Sequence, residues 1–295
     1  MSLATANPSP NAAQVIKVAL SRIGDIATLP EVTTRIITVV DDPKSTARDL
    51  HNIIKNDPAL ASKILKVVNS AFYGLPGQVS EIDRAIVLLG LSAVKNIAIS
   101  ASISRLFTAE RISDKFTARD IWRHSVAVAV ATRQFCVQVG KRPFAEEAFL
   151  AGLIHDLGLL VERQAYADGL AAVIRECAKG GRMFHELEQE IVGTDHQDLG
   201  SALAAKWKFP RGLQTVLGYH HRVSNLGAEH RLLPVMVYVA DCLCCQEHFG
   251  FHLTGENQTV DEAMLTSIGL TDAGFQQVRE ELPEQVEACE MILTG

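Results

Sequence analysis

Apolar residues recur along this chain at helical spacing, i, i+3, i+4 and i+7, and sustained alternation of apolar and polar positions is missing. The pattern predicts an all-α protein. Ala13–Ile26 reads as a first helix, and Pro30 as the opening of the next folded segment. Val32–Val40 has helical spacing although it is rich in β-branched residues, and Asp41-Asp-Pro43 breaks the chain after it. Asp57-Pro58 joins an N-cap to a proline at the first helical position. The helix it opens, Ala59–Ala71, puts Leu60, Ile64, Val67 and Val68 on one face, and Gly74, Pro76 and Gly77 close it. Ser80-x-x-Asp83 resembles a capping box before Ala85–Leu89. Gly90 ends that helix, and Ser92 starts one running to about Phe107. Thr117-x-x-Asp120 is a similar signal ahead of Ile121–Gln138. After a loop at Gly140–Pro143, Phe144–Val161 reads as a single helix. Further helices follow near 165–178, 184–192, 195–207, 210–221, 231–247, 260–268 and 271–293, with Pro283 kinking or splitting the last.

There is no internal repeat and no low-complexity linker. Residues 1–12 read as a flexible tail, 13–115 as an N-terminal helical half, and 116–295 as a helical core with C-terminal helices. The division falls where histidine begins: nine of the ten histidines come after it, His51 being the exception.

Composition narrows the function classes. The chain has 295 residues, 47% of them hydrophobic, enough for a substantial core. A formal charge of -6 without a Lys/Arg cluster argues against a nucleic-acid polymer as partner. No apolar run approaches the roughly 20 residues of a membrane span, and the start, MSLATANPSPNAA, lacks the charged and apolar regions of a signal peptide. A cytoplasmic location is expected. The six cysteines read as reduced thiols. Asp241-Cys-Leu-Cys-Cys245 could hold a soft metal, but small side chains packed in a helix explain it more simply.

The chemistry concentrates in Ala151-Gly-Leu-Ile-His-Asp-Leu-Gly-Leu-Leu-Val161, a stretch apolar almost all round that carries His155 and Asp156 in its middle. A carboxylate in an apolar interior costs about several kcal/mol unless something pairs with it, and a bound cation removes that cost. His124, His196, His220, His221 and Asp241 also fall in or at the start of predicted helices. Helices packed side by side can aim all seven into one buried cavity. Taken singly, each histidine is more often a core or surface residue than a ligand. The joint set, with two adjacent pairs, favours a divalent transition metal, one or two ions of iron, manganese, nickel or zinc.

His124, then His155-Asp156, then Asp241 resembles the H…HD…D signature of the HD superfamily of metal-dependent phosphohydrolases. His196 and His220-His221 resemble the larger ligand set of its HD-GYP branch. The front half is similar to a particular relative. Leu29-Pro-Glu-Val32, Ile54-Lys-Asn-Asp-Pro-Ala-Leu60, Val68-Asn-Ser-Ala-Phe-Tyr-Gly74 and Ala85-Ile-Val-Leu-Leu-Gly90 together resemble the HDOD domain, an all-helical, HD-related module of bacterial signalling, over about residues 20–225. The resemblance implies that His124, His155, Asp156 and Asp241 hold one metal, and that His196, His220 and His221 hold a second, with Asp156 bridging.

The departures are informative. Leu159 stands where HD-GYP phosphodiesterases carry a lysine, and Arg222-Val-Ser-Asn225 follows the histidine pair in place of a Gly-Tyr-Pro motif. Asp120, one turn before His124, can replace the glutamate of three-metal sites or simply cap the helix. The expected function is therefore a signalling module with a retained metal site, recognising signalling proteins or a small phosphorylated ligand. The alternative is a metal-dependent phosphohydrolase or phosphodiesterase acting on a nucleotide or cyclic dinucleotide.

Overall fold

Local punctuation sets most helix ends, and the computed structural model, which describes residues 10–24, 29, 31–41, 44–70, 73–107 and 111–294, follows it closely. Among the described residues the chain is all-helical apart from one isolated bridge between Arg111 and Thr117. The front half holds α1 (Pro10–Arg22), α2 (Glu31–Asp41), α3 (Ala47–Ile54), α4 (Pro58–Val68), α5 (Ile82–Leu89) and α6 (Leu91–Ile103). The back half holds α7 (Ala118–Gln138), α8 (Ala145–Ile154), α9 (Leu157–Ala165), α10 (Ala167–Cys177), α11 (Phe184–Ile191), α12 (His196–Lys206), α13 (Arg211–Tyr219), α14 (Ala228–Gln246), α15 (Glu262–Ile268) and α16 (Asp272–Thr294). The tail up to residue 9, Ile26, Pro30, the Asp42-Pro43 break and Ala71-Phe72 lie outside the described residues. The first helix opens at Pro10, inside the stretch expected to be tail.

Asp57 caps α4 by accepting from the Leu60 N–H at 2.9 Å. Thr117 and Asp120 form a full capping box on α7, Asp120 accepting from the Thr117 N–H at 2.7 Å and its hydroxyl at 2.8 Å. The box expected at Ser80 does not form. Helix α5 starts one residue too late for it, with Glu81 as N-cap, and the Asp83 carboxylate instead pairs with His51 Nδ1 at 2.6 Å. Helix α16 runs through Pro283 without dividing.

The largest correction concerns the helix that carries His155 and Asp156. Phe144–Val161 is not continuous: α8 stops at Ile154 and α9 begins at Leu157, with Asp156 at φ −98°, ψ 16° between them. On one straight helix neighbouring side chains diverge by about 100°. The break turns His155 and Asp156 to the same side, Nε2 to Oδ2 at 3.3 Å.

Helix α7 is the axis of the back half, packed against α8, α14 and α16, while α12 lies against α9 and α13. Helix α6 packs on α8, and α1 on α9 and α12. One connected set of buried apolar side chains consequently runs from Ile16 to Cys289, across the division expected near residue 116. The six cysteines are free and buried within this fold.

Candidate metal centre

Five elements deliver the seven residues singled out from sequence. His124 sits in the second turn of α7, and His155 and Asp156 form the α8–α9 turn. His196 is the first residue of α12, behind its N-cap Asp195; His220 ends α13, His221 follows it, and Asp241 projects from α14. The structure brings all seven together, and each side chain is fully buried.

Asp156 is the centre of the arrangement. Its Oδ2 faces His155 Nε2 at 3.3 Å and His124 Nε2 at 3.8 Å. Its Oδ1 faces His220 Nε2 at 3.4 Å and His196 Nε2 at 3.5 Å. Asp241 accepts from His124 Nε2 at 2.9 Å through Oδ1, which also stands 3.9 Å from His155 Nε2. Two groups with mutually close donor atoms result: His124, His155 and Asp241 on one side, and Asp156, His196, His220 and His221 on the other.

The imidazole tautomers are set from outside the cluster. A carbonyl can only accept, so His155 Nδ1 donates to Gly152 O at 2.7 Å, and His220 Nδ1 to Val216 O at 3.1 Å. His196 Nδ1 pairs with Glu188 Oε2 at 2.7 Å. The Nε2 lone pairs of His155 and His220 are thereby aimed inward, and each of the three rings has the outer partner typical of metal-ligating histidines. Burial lowers the His220 pKa to about 4, with the neighbouring His155 and His196 adding to it, so this ring stays neutral at ordinary pH. Burial also pushes the Asp156 carboxyl up, but the surrounding His155, His220 and His196 outweigh it and hold the group well below the usual carboxylate range.

These donors fit a divalent cation. His124 Nδ1, His155 Nε2, both Asp156 oxygens, His221 Nε2 and Asp241 Oδ2 are buried without a hydrogen-bond partner. Such concentration of unmet polar atoms is foreign to a closed core and ordinary for a ligand shell.

Two glycines place the turn. A Cβ on Gly152 would lie 2.8 Å from the Ala129 Cα of α7, and one on Gly158 would lie 1.8 Å from the His196 carbonyl oxygen. Backbones touch at both points, so the His155-Asp156 turn is wedged between α7 and α12.

Residues 248–258 close the cluster from outside. The Phe251 N–H donates to Asp120 O at 2.9 Å, Gln258 Nε2 donates to His221 Nδ1 at 2.8 Å, and the missing side chain of Gly255 leaves room for Asp241. Leu159 is fully buried in the apolar core. Arg222 Nη2 is committed to Asp195 at 2.8 Å and Asp198 at 2.9 Å.

Sequence reading missed Glu188, Glu162 and Gln258. Both glutamates are fully buried, and burial holds each well above the usual carboxylate range; Glu188 adds to the rise at Glu162, whereas at Glu188 the hydrogen bond with Glu162 opposes it. A signal existed: Glu188 shares the inward stripe of α11 with Phe184 and Leu187, and an acid on an apolar stripe requires a partner.

Comparison with known proteins agrees with this fold. The family model of the HDOD domain matches residues 26–223. The fold is similar to that of an HDOD domain protein of Geobacter sulfurreducens, at 20% identity and TM-score 0.79, covering 95% of this chain and 98% of that one. A candidate phosphohydrolase of Shewanella amazonensis matches at 21% identity and TM-score 0.71 over 95% and 98% of the two chains. A candidate signal transduction protein of Marinobacter aquaeolei matches at 21% and 0.74, over 99% of this chain and 69% of that one. In sequence, an uncharacterized protein of Treponema pallidum is 26% identical over 231 residues, 77% of this chain; the chain spans only 44% of that relative's length.

Proposed function

Because the chain belongs to the HDOD domain family, we propose that it is a signalling module built around a closed HD-type metal centre, one that recognises a partner rather than turning over a substrate. The observation that carries this reading is closure: all seven donor side chains are fully buried. A phosphoester needs a path to the reacting centre and cations to receive it. Leu159 is buried in the core, Arg222 is spent on two aspartates, and residues 248–258 cover Asp241 and His221.

In this proposal His124, His155, Asp156 and Asp241 hold one ion and Asp156, His196, His220 and His221 a second, the ions being iron, manganese, nickel or zinc. When bound, such an ion supplies Lewis-acid and charge-stabilising chemistry. The chain's own contribution is to fix tautomers through Gly152 and Val216, to hold the His196 ring through Glu188 and to exclude water. The recognised partner is a signalling protein or a small phosphorylated ligand.

The rival reading, a metal-dependent phosphohydrolase, draws on one feature: both oxygens of Asp156 face separate histidine pairs, as a two-ion hydrolytic centre requires. The experiment is metal analysis of anaerobically purified protein, followed by a screen of cyclic and linear dinucleotides and nitrophenyl phosphate esters with each metal. The module reading expects one to two equivalents of metal and no sustained turnover. Multiple turnovers at about 1 per second, within the ordinary enzyme range, would replace it with the rival.

A further inference from the structure

A second group of metal-ligating side chains lies outside the buried cluster, on the segment that covers it. One ring nitrogen of His248, one of His252 and a carboxylate oxygen of Glu256 all stand within 4.8 Å of one another. From these we infer that the protein carries a separate, solvent-accessible site for a borderline divalent cation such as zinc or nickel.

Two imidazoles and one carboxylate are the donors such ions prefer, and three protein ligands leave positions open to solvent. Metal–donor bonds of about 2.0–2.2 Å place neighbouring donors roughly 3–4 Å apart, so small side-chain rotations close the present spacing. The site is partly arranged in advance. His252 Nδ1 donates to the Gly250 carbonyl at 3.1 Å, which leaves its Nε2 as the free donor. Phe116 packs edge-on against the His252 ring at 5.4 Å between centroids, and that ring meets His248 edge-on at 4.4 Å. His248 adopts φ 55°, a left-handed conformation costly for a residue with a Cβ. That conformation ends α14 and brings the His248 ring back over the following turn. His252 and Glu256 also line a cavity of about 620 Å³, so the open coordination positions face solvent rather than core.

The two sites differ in exposure: His248 and Glu256 are exposed and His252 half-buried, whereas the inner donors are sealed. The outer ion therefore exchanges quickly and the inner ones slowly. Occupancy would also cross-link the two ends of the covering segment, holding His248 to Glu256.

The test is calorimetric titration of zinc, and separately nickel, into untagged full-length protein first passed over a chelating resin to strip fast-exchanging metal. Retained metal is measured in the same samples by elemental analysis. One further equivalent is expected to bind, weakened at least about 10–100-fold by His252→Ala or by Glu256→Gln, since losing even an outer partner of a metal ligand costs that much. His220→Ala, which alters the inner cluster only, should leave this equivalent in place. Circular dichroism on each variant checks that it is folded, as replacement of such peripheral side chains predicts. Binding of the added equivalent unchanged in both outer variants, or no binding beyond retained metal in the parent, overturns the site. Retained metal reports the inner centre independently, so failure of one reading is distinguishable from failure of the other.

Discussion

His196 and His220 point their Nε2 atoms at each other across 3.2 Å, a hydrogen-bond distance, while their far nitrogens reach Glu188 and the Val216 carbonyl. Without a cation, one proton can hold that contact; a cation placed between the imidazoles and the carboxylate would replace it, and Asp156 Oδ1, 3.4–3.5 Å from both rings, completes the group.

Asp156→Ala should consequently bring total metal close to zero, because each half of the cluster loses its shared anionic donor. His220→Ala removes one neutral donor from one half and should leave about half the parent content. Elemental analysis after anaerobic purification reads both. Equal losses in the two variants, with folding retained, would refute the shared role of Asp156.

Glu188 should behave as a positioning residue for His196. Glu188→Ala frees the imidazole to rotate and to change tautomer, and should weaken metal binding by about 10–100-fold while leaving helix content unchanged. Competition with a chromogenic chelator measures the affinity. Recovery in Glu188→Gln, which can still accept from Nδ1, separates positioning from loss of bulk. Equal affinity in the parent and the alanine variant would remove Glu188 from the site.

Gly158→Ala tests the backbone contact on His196. A methyl group placed 1.8 Å from a carbonyl oxygen cannot be accommodated without moving α9 from α12. Overpacking of this kind costs about 1–3 kcal/mol, and each kcal/mol lowers the melting temperature by roughly 2–4 °C in domains of this order of size. A melting temperature within a degree of the parent would mean that the two helices do not approach so closely.

The cysteines give a pH prediction. Burial pushes the Cys177 thiol up to about 11 and the Cys289 thiol to about 12. An unfolded chain ionises these thiols near pH 9 while the folded chain keeps them protonated. Their contribution to stability is therefore complete below pH 9 and is lost as pH rises through 11 and 12. Denaturant midpoints should fall from about pH 9 upward, and less so in Cys177→Ala/Cys289→Ala. A thiol reagent at pH 8 should label the folded chain at least about tenfold more slowly than the chain in guanidinium. Equally rapid labelling would contradict the burial of all six thiols.

The helical class and most helix ends are legible in the sequence because caps such as Asp57-Pro58 and Thr117–Asp120 act locally. The clustering of the seven residues is legible because a histidine-aspartate pair inside an apolar run is costly to bury unless a cation or a partner offsets its charge. The α8–α9 break is not legible, since Phe144–Val161 has unbroken helical spacing; the interruption arises from Gly152 and Gly158 docking on α7 and α12, contacts distant in sequence. Asp83 looks like a cap in sequence because its true partner, His51, lies 32 residues away. Glu188, Glu162 and Gln258 escape notice for the same reason: their roles come from what packs against them.

The spacing of the donors along the chain has a kinetic consequence. His124 and Asp241 are 117 residues apart, and His196 and His220 are 24 apart. Contacts this remote form late, after the intervening helices have docked and the entropy of closing a long loop has been met. By then the cavity is shut. On the proposed reading, an ion has to be trapped during synthesis, or else wait for a rare local opening of the finished protein. The speed at which isotopically labelled metal replaces a bound ion would then be a clock for those openings, readable without perturbing a single side chain.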